Sequence, residues 1–342
     1  MSHTTTRRTL ITSAVATAAL GVSSASSAAG PGAEARTTGG HGAADRGSRP
    51  SPTQSPDAAI AGGLELMAPP LEFAYFRTWH DKAVDPGRPN SMAEIPAEVD
   101  IAFVFPDYTP DDSPFWDVLR DEYVPTLHAQ GTRVVRTTDI TAVLNPDFPD
   151  TADGHRQNAE HLVETLVDAQ GLDGIDFDVE RYLDAADTAR AVGVFEELSR
   201  LIGPKSGTDR LFVYDTNRDG ADALFEQTAD CLDYVLVQSY GRSVSSLQGT
   251  WDSFAPHIAP AQYLIGFTFY EEHDANRWND TSEPFEDSRA VAYADWQPDG
   301  ATKGGIFSYA VDRDGVAFGD DEIRHTTYEW SKRLKRRMRD QA

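Results

Sequence analysis

The sequence predicts a single (β/α)8 TIM barrel, an α/β fold. Three observations carry that prediction. Eight short apolar runs recur along the chain, amphipathic stretches separate several of them, and no Gly-rich nucleotide loop follows the first run. Near-continuous apolar strands alternating with helices mean parallel strands covered by helices. Eight such units in a segment of about 275 residues match a barrel, which takes ~250. A doubly wound open sheet is the competing arrangement, and the absent nucleotide loop weighs against it.

The strand candidates, in order, are Leu71–Phe76, Asp100–Phe105, Arg133–Thr137, Gly174–Val179, Arg210–Tyr214, Tyr234–Ser239, Tyr263–Phe269 and Gly305–Ala310. Each is rich in β-branched or aromatic residues and short enough for a barrel stave. Asn158–Ala169 shows the helical pattern between two of them: Leu162, Leu166 and Val167 share one face, with Glu and His on the other. A helix from about Asp320 to Arg339 follows the eighth strand and is expected to close the barrel. Its basic residues Lys332, Arg333, Lys335, Arg336, Arg337 and Arg339 complement the negative end of the helix dipole and read as a solvated face.

Ahead of the barrel, Arg7 and Arg8 lead into a mildly apolar stretch that ends in small residues near Ser27-Ala28. Residues 1–28 therefore read as a twin-arginine export signal, with a plain secretory signal as the alternative. Residues 29–66, rich in Ala, Gly, Ser, Pro and Thr without a hydrophobic period, read as a disordered tether. The barrel domain is expected over residues 67–342. The chain has one cysteine, Cys231, so no intramolecular disulfide is available. A protein that folds before export needs none, and the two observations agree on a secreted, extracellular chain.

The formal net charge is −25. A surface that acidic repels phosphate backbones and anionic lipid, so neither a nucleic acid nor a membrane is expected as partner. No apolar run approaches the ~20 residues that a membrane-spanning helix needs. The charge is compatible with a neutral substrate such as a carbohydrate, and nothing suggests more than a monomer.

The fourth strand departs from the apolar rule. It reads Asp173-Gly174-Ile175-Asp176-Phe177-Asp178-Val179-Glu180. Side chains alternate along a strand, so Asp176, Asp178 and Glu180 share one face, about 6.6 Å from one to the next, and Ile175, Phe177 and Val179 share the other. In a barrel the apolar face packs on the helices and the acids point into the lumen. Burying carboxylates without compensation costs several kcal/mol each, which argues against a merely structural role. Ionising one makes the next harder to ionise, so at least one proton is expected to stay near neutral pH, as general-acid chemistry needs. Glu180 falls at the C-terminal rim, where barrel active sites are built. Asp173 and Gly174 at the strand entrance read as structural. A metal site is the rival chemistry for these acids. The spacing fits no EF-hand, and the histidines, such as His155 and His161, lack His-Glu-x-x-His spacing. Neither a metal nor a cofactor is expected.

Asp-Gly-x-Asp-x-Asp-x-Glu, completed by residues 173 to 180, resembles the signature of glycoside hydrolase family 18, and the resemblance covers roughly residues 67–342. It implies a substrate-assisted mechanism, an exception to the two-carboxylate scheme. Glu180 would protonate the glycosidic oxygen, Asp178 would hold and polarise the acetamide nitrogen of the sugar, and Asp176 would support Asp178. The substrate's own acetamide oxygen would attack the anomeric carbon.

Three further stretches resemble the bacterial endo-β-N-acetylglucosaminidases of that family rather than its chitinases. Tyr75-Phe76-Arg77-Thr78-Trp79-His80-Asp81-Lys82 is similar to their first loop, with Arg77 and Trp79 as substrate-binding candidates. Val237-Gln238-Ser239-Tyr240-Gly241 has Gln238 where chitinases usually show Met, and Tyr240 would donate to the acetamide oxygen. Phe307-Ser308-Tyr309 puts Tyr309 where chitinases usually place a Trp. Glu271, after the seventh strand, is a further candidate for glycan hydroxyls, as is Glu272 beside it. The third strand, Arg133 to Asp139, lacks the Ser-x-Gly-Gly of many chitinases. Trp116, Trp251, Trp278 and Trp296 are either sugar platforms or packing residues. The expected substrates are N-glycans of glycoproteins, cut in their N,N′-diacetylchitobiose core. A chitinase and a catalytically inactive glycan-binding relative are the alternatives, and the intact Glu180 speaks against the latter.

Overall fold

A computed structural model describes residues 66–275 and 278–342. The expected export signal and the expected tether up to residue 65 lie outside the described residues.

Eight parallel strands close on themselves in sequence order. They are β1 (Leu71–Arg77), β2 (Ile101–Phe105), β3 (Arg133–Asp139), β4 (Gly174–Val179), β5 (Leu211–Thr216), β6 (Tyr234–Gln238), β7 (Tyr263–Thr268) and β8 (Gly305–Tyr309). The ladder from β1 to β8 completes the circle, pairing Leu71 with Gly305 and Ala74 with Ser308. The expected barrel is the observed one.

Alternation along each strand sorts two cores. Leu71, Phe73 and Tyr75 of β1 point into the lumen with Phe103, Val135, Val213, Leu236, Leu264 and Phe307. Ala74 and Phe76 point outward into the larger layer between strands and helices, with Ile175, Phe177 and Val179 of β4. Gly174 is required where it stands. A Cβ there would lie 2.2 Å from the carbonyl oxygen of Leu211, so no side chain fits at the entrance of β4. Gly266 plays the same part in the lumen, where a Cβ would lie 2.2 Å from the ring of Phe307.

The helices are α1 (115–129), α2 (152–168), α3 (Ala185–Leu198), α4 (Ala223–Thr228), α5 (Leu247–Phe254), α6 (Arg289–Asp295) and α7 (Glu329–Gln341). Each follows one of the strands β2 to β8. The β1–β2 connection carries instead two 3-10 turns, Thr78–His80 and Met92–Glu94. Its Asp85-Pro86-Gly87-Arg88-Pro89 run cannot propagate a helix. Asp81 organises this loop by accepting from the backbone N–H groups of Ala83 and Met92, both at 2.7 Å, and from the Tyr123 hydroxyl at 2.9 Å.

Two helix boundaries differ from the sequence reading, beyond shifts of one or two residues at the strand ends. Helix α2 begins six residues before Asn158, because the Thr151 side chain caps it by accepting from Gly154 N–H. The closing helix α7 begins at Glu329 rather than near Asp320. Side chains satisfy the intervening backbone: Asn90 accepts from Thr326 N–H, and Arg313 donates to the carbonyls of Asp320 and Glu322. Asp314 then takes the N–H groups of Trp330 and Ser331 and starts the helix.

The basic residues of α7 are not one solvated face. Lys335 is buried, donating to the Pro70 carbonyl and pairing with Asp100. Arg337 reaches Asp295 and Glu286, and Arg333 stacks on Phe285. Helix packing turned Lys335 inward, since Trp330, Leu334 and Met338 face the barrel, while Arg336 and Arg339 stay exposed. Among the described residues, no helix is long and apolar enough to cross a membrane.

Candidate active site

The acids of β4 climb from the lumen to solvent. Asp176 is fully buried, Asp178 half-buried and Glu180 exposed at the rim. Their burial follows from strand geometry: each step of two residues moves the next carboxylate ~6.6 Å toward the C-terminal face. At the entrance, Asp173 points away from the rim and accepts from Val134 N–H at 2.6 Å, with His128 Nε2 at 2.7 Å.

Asp176 accepts through Oδ2 from the Tyr75 hydroxyl and from Thr137 Oγ1, each at 2.9 Å. Its Oδ1 has no hydrogen-bond partner among the described residues. Burial raises its pKa to about 7, and the two hydroxyls only moderate that rise. Asp178 is pushed well above the usual carboxylate range, by burial first and then by the charges of Glu180 and Asp176. Asp215 on β5 stands directly beside Asp178 in the ladder and is raised well above its usual range too, by burial and by Asp178. Three carboxylates that resist ionisation in one lumen share the proton that the alternating acids of β4 imply.

Gln238, at the end of β6, links two of them. Its side-chain N–H2 donates to Asp215 at 2.8 Å and to Asp178 at 3.4 Å. A thioether in its place would donate to neither. Tyr240 lies beyond Gln238, its ring 6.3 Å from Phe307 and 6.2 Å from Tyr309. Burial, with the Asp215 charge, keeps its phenol well above its ordinary value, so it stays protonated and able to donate. The phenol of Tyr309 is held protonated in the same way and lies 3.4 Å from Glu271 Oε1. Phe105 meets the Tyr309 ring edge-on at 5.6 Å, and Trp79 approaches Phe105 at 6.0 Å and the exposed Tyr108 at 5.0 Å.

Arg77 is not where a glycan would meet it. It is completely buried at the end of β1, donating to both oxygens of Asp312, at 3.0 and 2.6 Å, and to Glu271 and Glu272, at 3.0 and 3.1 Å. Its five donors in a fixed fork suit joining the ends of β1, β7 and β8. Through Glu271 it bears on Tyr309. His80 Nε2 lies 2.7 Å from Glu272 on the other side of the same cluster. Glu272, so surrounded, is held below the usual carboxylate range.

Of the tryptophans, Trp116 and Trp251 are packing residues, Trp116 under the Arg136 guanidinium at 4.1 Å and Trp251 against Tyr263 at 4.9 Å. Trp296 is half-buried against the outer layer, and Trp278 packs over Gly241 on the rim. His155 lies 2.7 Å from Asp150, away from the acids.

The sequence reading omitted Asp215. The strand candidate stopped at Tyr214, one residue short of it. Leu211 and Val213 are inward, so extending the same alternation gives a charged residue at an inward position, the signal that marked β4. Asp107 and Asp139 were likewise not singled out. Both bear on Asp178, and burial raises Asp107 first, with Asp139, Glu180 and Glu271 adding to it. Among the described residues, no three His, Cys, Asp or Glu side chains converge as metal ligands.

The barrel thus carries an acid at its rim, two buried carboxylates beneath it, and phenols and an amide around them. Residues 74–308 match the family model described as the endo-β-N-acetylglucosaminidase EndoS TIM-barrel domain. The chain belongs to that family. It is 40% identical over 296 residues to endo-β-N-acetylglucosaminidase EndoSd of Streptococcus dysgalactiae, covering 76% of this chain and 35% of that protein. Against endo-β-N-acetylglucosaminidase F2 of Elizabethkingia meningoseptica it is 39% identical over 270 residues, covering 77% and 80%. The crystal structure of an endo-β-N-acetylglucosaminidase from Cordyceps militaris superposes with a TM-score of 0.76 at 48% identity, covering 78% of this chain and 90% of that one. A mutant of the Cordyceps enzyme has been crystallised in complex with fucosyl-N-acetylglucosamine-Asn. The chain thus spans about a third of the streptococcal relative and most of the other two.

Proposed function

We propose that this protein is a retaining endo-β-N-acetylglucosaminidase that hydrolyses the β1,4 bond in the N,N′-diacetylchitobiose core of N-linked glycans and leaves one GlcNAc on the protein. The observation that carries the reading is the Asp178–Gln238–Asp215 arrangement beneath Glu180. It offers an acetamide a carboxylate whose proton affinity is raised well above the usual range.

In this reading Glu180 gives its proton to the glycosidic oxygen as the C1–O bond breaks. The acetamide carbonyl oxygen of the −1 sugar forms the new bond to C1 and closes an oxazolinium ring. Asp178 holds the acetamide N–H. Its raised proton affinity suits taking up the positive charge that develops on that nitrogen. Asp176, fixed by Tyr75 and Thr137, and Asp215, fixed by Gln238, keep Asp178 in place. Tyr240 donates to the acetamide oxygen and orients it toward C1. Glu180, now a carboxylate, removes a proton from water, which opens the ring at C1 with net retention. Tyr309 and Trp79 supply aromatic surface beside the sugar, and Glu271, held by Arg77, accepts from its hydroxyls.

The relatives named above are endo-β-N-acetylglucosaminidases, and a mutant of the Cordyceps enzyme has been crystallised with fucosyl-N-acetylglucosamine-Asn. We place the enzyme outside the cell on the strength of Arg7, Arg8 and the apolar stretch after them, with twin-arginine export as the finer expectation. The test is to incubate the protein with an N-glycosylated IgG or RNase-type glycoprotein and, in parallel, with chitin oligomers. Mass spectrometry shows glycoprotein trimmed to a single GlcNAc if the reading holds. Cleavage of chitin oligomers alone replaces it with a chitinase.

A further inference from the structure

A cleft of about 640 Å³ begins at Glu180 and runs outward between the loops after β5 and β6 and helix α5. Asp178, Gln238, Tyr240 and Tyr309 take no part in it. Glu180 therefore has the acetamide pocket on one side and this cleft on the other. An acid that protonates a glycosidic oxygen touches both halves of the bond, so the side without the acetamide pocket receives the leaving half.

The cleft is built around Tyr182, two residues after the acid and 86% exposed. One face of its ring is covered by the Arg218 guanidinium, whose carbon lies 3.1 Å from the ring centroid. Arg218 is nearly buried and fixed by Asp222, with Nε donating at 2.8 Å. The ring thus has a rigid backing on one face and leaves the other open. Around it stand groups that hydrogen-bond but do not attract apolar ligands: Asn217, Arg242 and Thr250. Arg242 donates to the Asn217 carbonyl at 2.9 Å, which joins the two loops. A backed aromatic face in a polar surround suits a pyranose ring, which has an apolar C–H face and a polar edge.

We infer that this cleft is the leaving-group site, where the protein-linked GlcNAc stacks on Tyr182 and the attached polypeptide leaves through the open end past Arg242. The inference rests on the endoglycosidase reading above. It assigns Tyr182 and Arg218 to recognition of the aglycone, separate from the residues that hold the transferred glycan.

The test compares two substrates that carry the same glycan: a GlcNAc-GlcNAc-Asn glycopeptide, and the glycan oxazoline, which has no leaving group. The ratio of kcat/KM for the glycopeptide to that for the oxazoline falls roughly tenfold in Tyr182→Ala, the worth of one good stacking contact. Tyr182→Phe keeps the ratio, because the ring face and not the hydroxyl makes the contact. An unchanged ratio in Tyr182→Ala overturns the assignment. So does an equal loss on both substrates, which would move Tyr182 to the donor side. Wild-type protein inert toward both substrates overturns the endoglycosidase reading itself, and this inference with it, before any variant is compared.

Discussion

Asp178 and Asp215 occupy directly paired positions on β4 and β5, so two carboxylates stand side by side in the barrel lumen. A single amide, that of Gln238, donates to both. Like charges so placed in a buried site cannot both ionise without cost. Burial first, and then this mutual repulsion, makes the pair resist ionisation, and the Asp176 charge below adds to it.

Burial holds the Asp176 pKa near 7, above its unfolded value of ~3.9. The folded protein binds this proton more tightly than the unfolded chain does. The stability it contributes is complete below about pH 4 and is lost as pH rises through about 7. Asp176→Asn keeps the neutral form at every pH. Its Tm should fall less than that of wild type between about pH 5 and pH 8, by roughly 5 °C. Parallel melting curves across that range check this, and identical slopes would contradict it.

Glu180→Gln should lower kcat on glycopeptide on the order of 10³-fold, the contribution of general acid and base together. Glu180 is exposed, so the melting temperature should stay within about 1 °C of wild type. Steady-state kinetics with a thermal scan reads both. Activity within tenfold of wild type would remove Glu180 from the acid role.

Arg77→Met should destabilise the protein by about 3–5 kcal/mol, because it leaves Asp312, Glu271 and Glu272 without their buried cation. Adding Asp312→Asn removes the most buried of those orphaned charges and should recover part of the loss. Urea denaturation of the single and double variants measures it. A double variant less stable than Arg77→Met would mean that Asp312 is not the group left uncompensated.

Much of this site was legible in the chain because a charge in an apolar strand breaks a strong rule. Asp176, Asp178 and Glu180 stand out for that reason, and the period of two placed them in the lumen. Asp215 obeys the same rule but sits at a strand end, where apolar runs fade and boundaries are hard to read. Arg77 failed in the opposite direction. Its position beside Trp79 suggested a surface contact, yet Asp312, 235 residues away, takes it inside. Burial of that kind depends on the closure of β1 against β8, which no local pattern encodes. The basic run of α7 shows the same limit: helical spacing told which residues share a face, and tertiary packing decided that Lys335 turns inward to Asp100.

The mechanism stands or falls on Asp178 acting through the substrate's acetamide. The most direct measurement compares Asp178→Asn with wild type on an intact glycopeptide and on the corresponding glycan oxazoline, the intermediate already formed. Cleavage of the glycopeptide should fall on the order of 10³-fold, because ring closure loses the carboxylate that supports it. Consumption of the oxazoline should stay within about tenfold of wild type, because that step relies on Glu180 and water. Equal loss on both substrates would contradict the account.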